Sequence, residues 1–290
     1  MRKVKMNSHY PPVENWMLNF PVEAVDKIWM DKLKQYSEPS RAKGVVEVPW
    51  NELITALEKH DTKKIGQWID SLAQGYFFLI KSFLSTAEIR EINGIFLSFQ
   101  KSHESSFHKI VDGIPNFWRD ITEELSTRYA VPQVKKTSYW FYWNEDSKRV
   151  YELIMPIYRA FKALGGKSPI EYENNIPSTG KVDRIQIVHY PAGTGRLEPH
   201  HDPKESQRLI MSGYTTRRGV DFHGGGFWAS GLNDDKLDME PFLEPGDFGT
   251  CYANIVHGVD ATQTGDRGFI GLYSVDSDYK IDRDTIKPAR

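Results

Sequence analysis

From residue 183 onward the chain breaks into short apolar runs separated by turns: RIQIVHY (184–190), LEPHHD (197–202), QRLIMSGYTT (207–216), GFWAS (226–230), GDFGTCYAN (246–254) and RGFIGLYS (267–274). Short strands at such close spacing predict a β-sandwich or barrel. With 290 residues the chain is long enough to bury a substantial core.

The first half has a different period. Val22, Val25, Ile28, Trp29, Leu33 and Tyr36 recur at helical spacing, as do Trp50, Leu53, Ile54 and Leu57, and then Ile65, Trp68, Ile69 and Leu72 before Gly75. YFFLI (76–80) reads as a buried strand. Ser85-Thr86-Ala87-Glu88 has the form of a capping box, opening a helix that carries Ile89, Ile92, Phe96 and Phe99 on one side. SYWFYW (138–143) has strand composition, and a helix is expected over 147–164, kinked at Pro156 and ended by Gly165-Gly166. No polar linker divides the halves. The fold class is therefore α+β with a mainly β core, in one domain over 1–290: a mainly helical flank over 1–135 and a β core over 136–280.

Composition narrows the function. Hydrophobic residues are 39% and charged residues 26%, the balance of a globular chain. A net charge of −2 offers no basic excess for a phosphate backbone, so nucleic acid is not an expected partner. The single cysteine, Cys251, rules out an internal disulfide and a thiolate cluster. MRKVKMNSHYPP lacks the apolar run of a signal peptide, and no stretch approaches the ~20 apolar residues of a membrane span. A cytoplasmic protein acting on a small molecule, without a membrane, is the expectation. Oligomeric state leaves no sign in the sequence.

HYPAGTGRLEPHHDP (189–203) places two histidines and an aspartate behind a glycine-rich turn. If this stretch is a strand, His200 and Asp202 face one way and His201 the other. An imidazole and a carboxylate on one face begin a metal site, with His189, His223 and His257 as candidates for the third ligand. His257 is expected at the end of a strand. A turn through Gln263-Thr264-Gly265 and a strand opening at Arg267, ten residues on, would put the two side chains on neighbouring strands. Two histidines and a carboxylate with open positions form the facial triad of non-heme Fe(II) oxygenases.

On His200-x-Asp202, the distal His257 and Arg267 ten residues later, the stretch 183–275 resembles the Fe(II)/2-oxoglutarate-dependent dioxygenase superfamily, in particular its prolyl-hydroxylase-like and phytanoyl-type small-molecule members. The resemblance is strong over roughly the C-terminal third and implies a double-stranded β-helix, the cupin-like jelly roll, with flanking N-terminal helices. It implies that His200, Asp202 and His257 hold Fe(II) and that Arg267 binds the far carboxylate of the cosubstrate 2-oxoglutarate. O₂-driven decarboxylation to succinate and CO₂ is then coupled to attack on a nearby C–H bond. It also implies a cosubstrate contact for Tyr190, which shares a strand face with Val188, Gln186 and Arg184. Gln186 becomes an inward polar group for cosubstrate or substrate. Halogenating members carry a small residue at the position of Asp202, so the aspartate implies hydroxylation, desaturation or ring closure of a small organic metabolite. One position departs from the pattern. Many members have a serine two residues after the arginine; here it is Phe269, and Tyr190 is the expected helper.

Other features read as structure. His201 faces away from the metal, and His189 alternates off the Tyr190 face. Phe222-His223-Gly224-Gly225-Gly226-Phe227 lacks the lysine and helix of a phosphate loop and reads as a hairpin turn. His103 and His108 are five apart, not the four a zinc-protease helix needs. SYWFYW is core, with one face (Tyr139, Phe141, Trp143) a candidate pocket lining, as are Trp228 and Tyr214. Arg217-Arg218 reads as solvated surface. Two other functions stay open: a non-catalytic jelly-roll binding protein, which has no need of all four residues, and a zinc hydrolase on the same ligands, which has no need of Arg267.

Overall fold

The computed structural model describes residues 11–111, 113–173, 180–204 and 207–276. The N-terminal MRKVKMNSHY and the last residues of the expected β core, 277–280, lie outside these.

The helices form where the apolar period is helical. α1 (Asn15–Leu18) leads into α2 (Val22–Tyr36), which buries Val25 and Trp29; α3 spans Trp50–Glu58 and α4 spans Thr62–Ala73. Gly75, at φ +97°, turns the chain after α4, where an added Cβ would lie 2.4 Å from the Arg41 carbonyl. α5 (Thr86–Ser102) opens on the Ser85/Glu88 capping box and buries Ile89, Ile92, Phe96 and Phe99. A short α6 (Glu123–Ser126) precedes α7 (Lys148–Leu164), which runs through Pro156 and is buried along most of its length. Trp29 Nε1 donates to the Leu164 carbonyl at 2.7 Å, tying α2 to the end of α7.

The strands are β1 (Gly44–Glu47), β2 (Tyr76–Ile80), β3 (Phe117–Ile121), β4 (Gln133–Phe141), β5 (Lys181–Tyr190), β6 (Arg196–His200), β7 (Leu209–Tyr214), β8 (Gly226–Ser230), β9 (Lys236–Asp238), β10 (Phe248–Tyr252), β11 (His257–Asp260) and β12 (Arg267–Asp276). Their hydrogen-bonded order is β1-β2-β10-β7-β12-β5-β4-β6-β11-β8-β9, with β3 on β4. β4 is the bend in this path. Its C-terminal part pairs with β5, while Gln133 and Val134 pair with β6. A larger and a smaller sheet thus face each other as a double-stranded β-helix, with the helices packed on the larger sheet. One hydrophobic cluster runs from Trp16 through α7 to Leu272.

The mainly helical first 135 residues also contribute β1, β2 and β3 to the larger sheet. GVVE and FWRDI carry no clean alternation; they become strands by pairing with β2 and β4. The glycine run 224–226 is not a hairpin between paired strands. It carries the chain from β7 in one sheet to β8 in the other, with all three glycines at positive φ. His257 does not end a strand. It opens β11, which pairs with β6 and β8, whereas Arg267 opens β12, which pairs with β5 and β7.

Beneath the sheet, α7 is held by buried charges. Arg159 pairs with Glu173 through two bonds, at 2.7 and 3.0 Å, and Lys162 Nζ reaches Asp183 Oδ2 at 2.6 Å. Asp183 also accepts from the Tyr158 and Ser274 hydroxyls. Among the described residues, no helix is long and apolar enough to cross a membrane.

Candidate active site

The antiparallel pairing of β6 and β11 sets His257 directly opposite His200, with ring centroids 4.3 Å apart. β6 ends at His200, so Asp202 lies beyond the strand, and its position comes from its own N–H donating to the Ala253 carbonyl at 3.0 Å. One ligand atom from each of His200, Asp202 and His257 lies within 4.8 Å of the others. His201 is exposed. His189 faces the other side of β5, with its ring 4.6 Å from that of Phe96, and burial pushes its pKa down to about 4. His223 stays in its exposed loop.

Both imidazoles are oriented for coordination. His200 Nδ1 lies 3.0 Å from the Glu198 carbonyl, and His257 Nδ1 lies 3.0 Å from that of Ile255. A carbonyl only accepts, so each Nδ1 carries a proton and Nε2 is the nitrogen left for a metal. Burial first, and then the neighbouring His257, push the His200 pKa down to about 4, which keeps that ring neutral near neutral pH. Two imidazoles and one carboxylate suit a first-row divalent metal.

Arg267 stands across from Tyr190 in the β12–β5 pairing. On the same inward face follow Phe269 opposite Val188, Gly271 opposite Gln186, and Tyr273 opposite Arg184. Arg267 is buried and donates through Nε to Glu240 Oε1 at 2.6 Å. The same oxygen accepts the Phe227 N–H at 2.7 Å. Glu240 has room because residue 226 is glycine, where an added Cβ would lie 2.5 Å from Glu240 Cγ. A narrow cavity lies between Arg267 and the two histidines, lined also by Tyr190, Tyr214 and Phe269. The Tyr190 and Tyr214 hydroxyls are buried and, among the described residues, unpartnered. Burial raises both phenol pKa values, so both remain donors. Phe269 stacks on the Tyr190 ring at an interplanar angle of 11°.

A second cavity, of about 270 Å³, opens on the Asp202 side of the same cluster. Gln186 lines this one rather than the Arg267 cavity, together with Tyr139, Arg184 and Lys135. Turned with its oxygen toward Arg184, the Gln186 amide accepts from Nη2 at 2.7 Å. Burial first, then the charge of Arg184, push the Lys135 pKa down to about 8 from 10.5. The folded chain therefore releases this proton at lower pH than the unfolded chain. The penalty on stability is full below about pH 8 and fades as pH rises toward 10.5. Lys135→Met should stabilise the protein by on the order of 2 kcal/mol near neutral pH, and the gap to the parent should narrow between pH 8 and 10.5. Urea unfolding across that range is the check; a pH-independent gap contradicts the assignment.

Tyr139 lines the larger cavity, while Phe141 and Trp143 pack in a satellite cluster with Phe117. Tyr214 reaches the Arg267 cavity and Trp228 lines neither. Arg217 pairs with Glu244 and Arg218 with Asp238 at the surface. His103 caps the end of α5, and His108, in the following loop, reaches the larger cavity. Sequence reasoning missed Glu240 and Lys135. Nothing in the residues around Glu240 marks it, because its partner is 27 residues away, at the start of β12. Lys135 had a signal: it shares parity with Tyr139 on a strand that begins earlier than SYWFYW implied.

No family model and no curated protein sequence matches the chain. Solved structures do. A Pseudomonas putida prolyl-4-hydroxylase superposes with a TM-score of 0.50 at 13% identity, covering 73% of this chain and 98% of its own. A C-terminally truncated Neurospora crassa protein, solved in its apo form, superposes with a TM-score of 0.53 at 10% identity, covering 79% of this chain and 94% of its own. At such identities the likeness is one of fold, and by fold the chain is a double-stranded β-helix protein of the kind these two share.

Proposed function

We propose that the chain is an Fe(II)- and 2-oxoglutarate-dependent oxygenase acting on an unactivated C–H bond of a small organic molecule, with hydroxylation as its principal outcome. Substrate, O₂ and 2-oxoglutarate give hydroxylated product, succinate and CO₂, one oxygen atom entering the product and the other the succinate. The observation that carries this reading is the pair of buried hydroxyls, Tyr190 and Tyr214, unpartnered among the described residues, beside Arg267 and next to two histidines whose Nδ1 atoms are bonded to carbonyls. A dicarboxylate with one end at the metal and the other at Arg267 satisfies all of them. A zinc hydrolase or a bare binding fold leaves those groups without purpose.

The residues divide the work. His200 and His257 hold the metal through Nε2, and Asp202 adds the anionic ligand. Bound there, Fe(II) supplies the open coordination positions at which cosubstrate and O₂ meet. Arg267 takes the far carboxylate as a charge-assisted pair, with the Tyr190 and Tyr214 O–H groups as further donors. Glu240 fixes the guanidinium through Nε and leaves its other N–H groups to the cavity. Phe227 and Phe269 close the cavity walls against water.

Anaerobic titration with Fe(II) and 2-oxoglutarate should give a weak visible charge-transfer band that needs both components. The band should vanish in Arg267→Ala and in His257→Ala. Absence of the band, with Zn²⁺ bound tightly instead, overturns the reading in favour of the hydrolase.

A further inference from the structure

We propose that the larger cavity receives a small organic acid as substrate, its carboxylate held by Lys135 with Arg184 beside it and its apolar body laid toward the metal ligands. This deepens the oxygenase reading and rests on it.

Lys135 is the first observation. It is 8% exposed, lines the cavity, and has neither a hydrogen-bond partner nor an ion pair among the described residues. Lys136, next in the chain, faces the other side of the strand and is part-exposed. A buried ammonium without a partner is costly, and a structural lysine finds an anion or extends to water. Opposite Lys135 on β3 stands Ile121, which offers neither. The carboxylate of the chain whose charge reaches Lys135 is Asp202, and the metal would take that one, which leaves the ammonium to an anion from outside.

Arg184 is the second observation. Its guanidinium lies 5.0 Å from the Tyr139 ring centroid and 5.9 Å from that of Tyr273, and it donates to the Gln186 oxygen. Gly271 gives the Tyr273 ring its place, since an added Cβ would lie 2.3 Å from Tyr273 Cε2. The planar cation is thus held in the cavity wall by two aromatic rings and an amide.

The charge balance gives the sign of the ligand. Lys135 has no ion pair among the described residues, and the one carboxylate among the described residues lining its cavity is Asp202, which the metal would take. The walls give the body: Phe107, Ile110, Phe117 and Leu197 are apolar. Burial first, and then the charge of Arg184, depress the Lys135 pKa. An acid anchored at Lys135 lies in the same cavity that His200 and Asp202 line.

The test uses matched pairs of acid and amide: phenylacetate with phenylacetamide, 3-phenylpropanoate with its amide, and hexanoate with hexanamide. Binding to the full chain is measured by calorimetry, anaerobically, with and without Fe(II) and 2-oxoglutarate. At least one acid should bind about tenfold tighter than its amide, and Lys135→Gln should erase that preference while leaving 2-oxoglutarate affinity unchanged. Arg267→Ala should do the reverse. If no acid outbinds its amide, or if the preference survives in Lys135→Gln, the proposal is overturned. A loss of 2-oxoglutarate affinity in Lys135→Gln assigns the lysine to the cosubstrate and overturns it as well. Failure of the oxygenase reading shows separately, as a missing charge-transfer band.

Discussion

Arg267→Ala is expected to weaken 2-oxoglutarate binding by about a hundredfold or more. Truncating one member of a buried, hydrogen-bonded charge pair costs about 2–5 kcal/mol, and each 1.4 kcal/mol is tenfold in affinity. Arg267 is 3% exposed, so little water is at hand to replace it. The substitution has a second consequence. Glu240, whose side chain is 2% exposed, would lose its cation and, among the described residues, keep only the Phe227 N–H. The variant should therefore also unfold more readily, which is why affinity must be measured where it remains folded. Arg267→Lys separates the two effects. It keeps a charge near Glu240 but loses the planar fork, so stability should recover more than cosubstrate affinity does. Calorimetric titration of 2-oxoglutarate, paired with urea unfolding of both variants, is the measurement. Parent-like affinity in a folded Arg267→Ala protein removes Arg267 from the cosubstrate site.

Lys162→Ala is expected to destabilise the protein by about 3–5 kcal/mol, the range for breaking a buried ion pair from one side. Lys162 joins α7 to β5 through Asp183 at 2.6 Å and reaches the Glu171 carbonyl at 2.9 Å. Asp183 is 1% exposed, and burial holds its carboxyl pKa above the ordinary value even with Lys162 present. Without the lysine, the ionised carboxylate keeps the Tyr158 and Ser274 hydroxyls but, among the described residues, no counter-charge within bonding distance. The sign with pH follows. The folded-state pKa of Asp183 is raised, so the deficit is present above that pKa and is lost as pH falls through it. Lys162→Ala/Asp183→Asn should regain part of the loss, because a neutral amide needs no cation. Tryptophan fluorescence in urea follows all three proteins; a double variant no better than the single one removes the ion pair as the cause.

The local elements were legible because their causes are local. The amphipathic period of Val22–Tyr36, the Ser85/Glu88 box before α5 and the apolar YFFLI run each depend on residues a few positions apart, and the structure places helix, helix and strand there. The strand-and-turn rhythm after residue 183 carried the β core, and the spacing of His200, Asp202, His257 and Arg267 carried the site hypothesis. The neighbour relations of the strands were not legible. His257 and Arg267, ten residues apart, lie in facing sheets, because the double-stranded β-helix sends consecutive strands to opposite walls. Glu240 beside Arg267, Tyr214 beside Tyr190 in one cavity, and Lys135 with Arg184 in the other are meetings of residues distant in sequence. Such meetings leave no local periodicity to read. The sequence determined which segments become helix or strand and which residue types could bind a metal and an acid. The tertiary structure decided which of those residues share a cavity, because strand register and sheet closure are settled by packing across the whole β core rather than by neighbours along the chain.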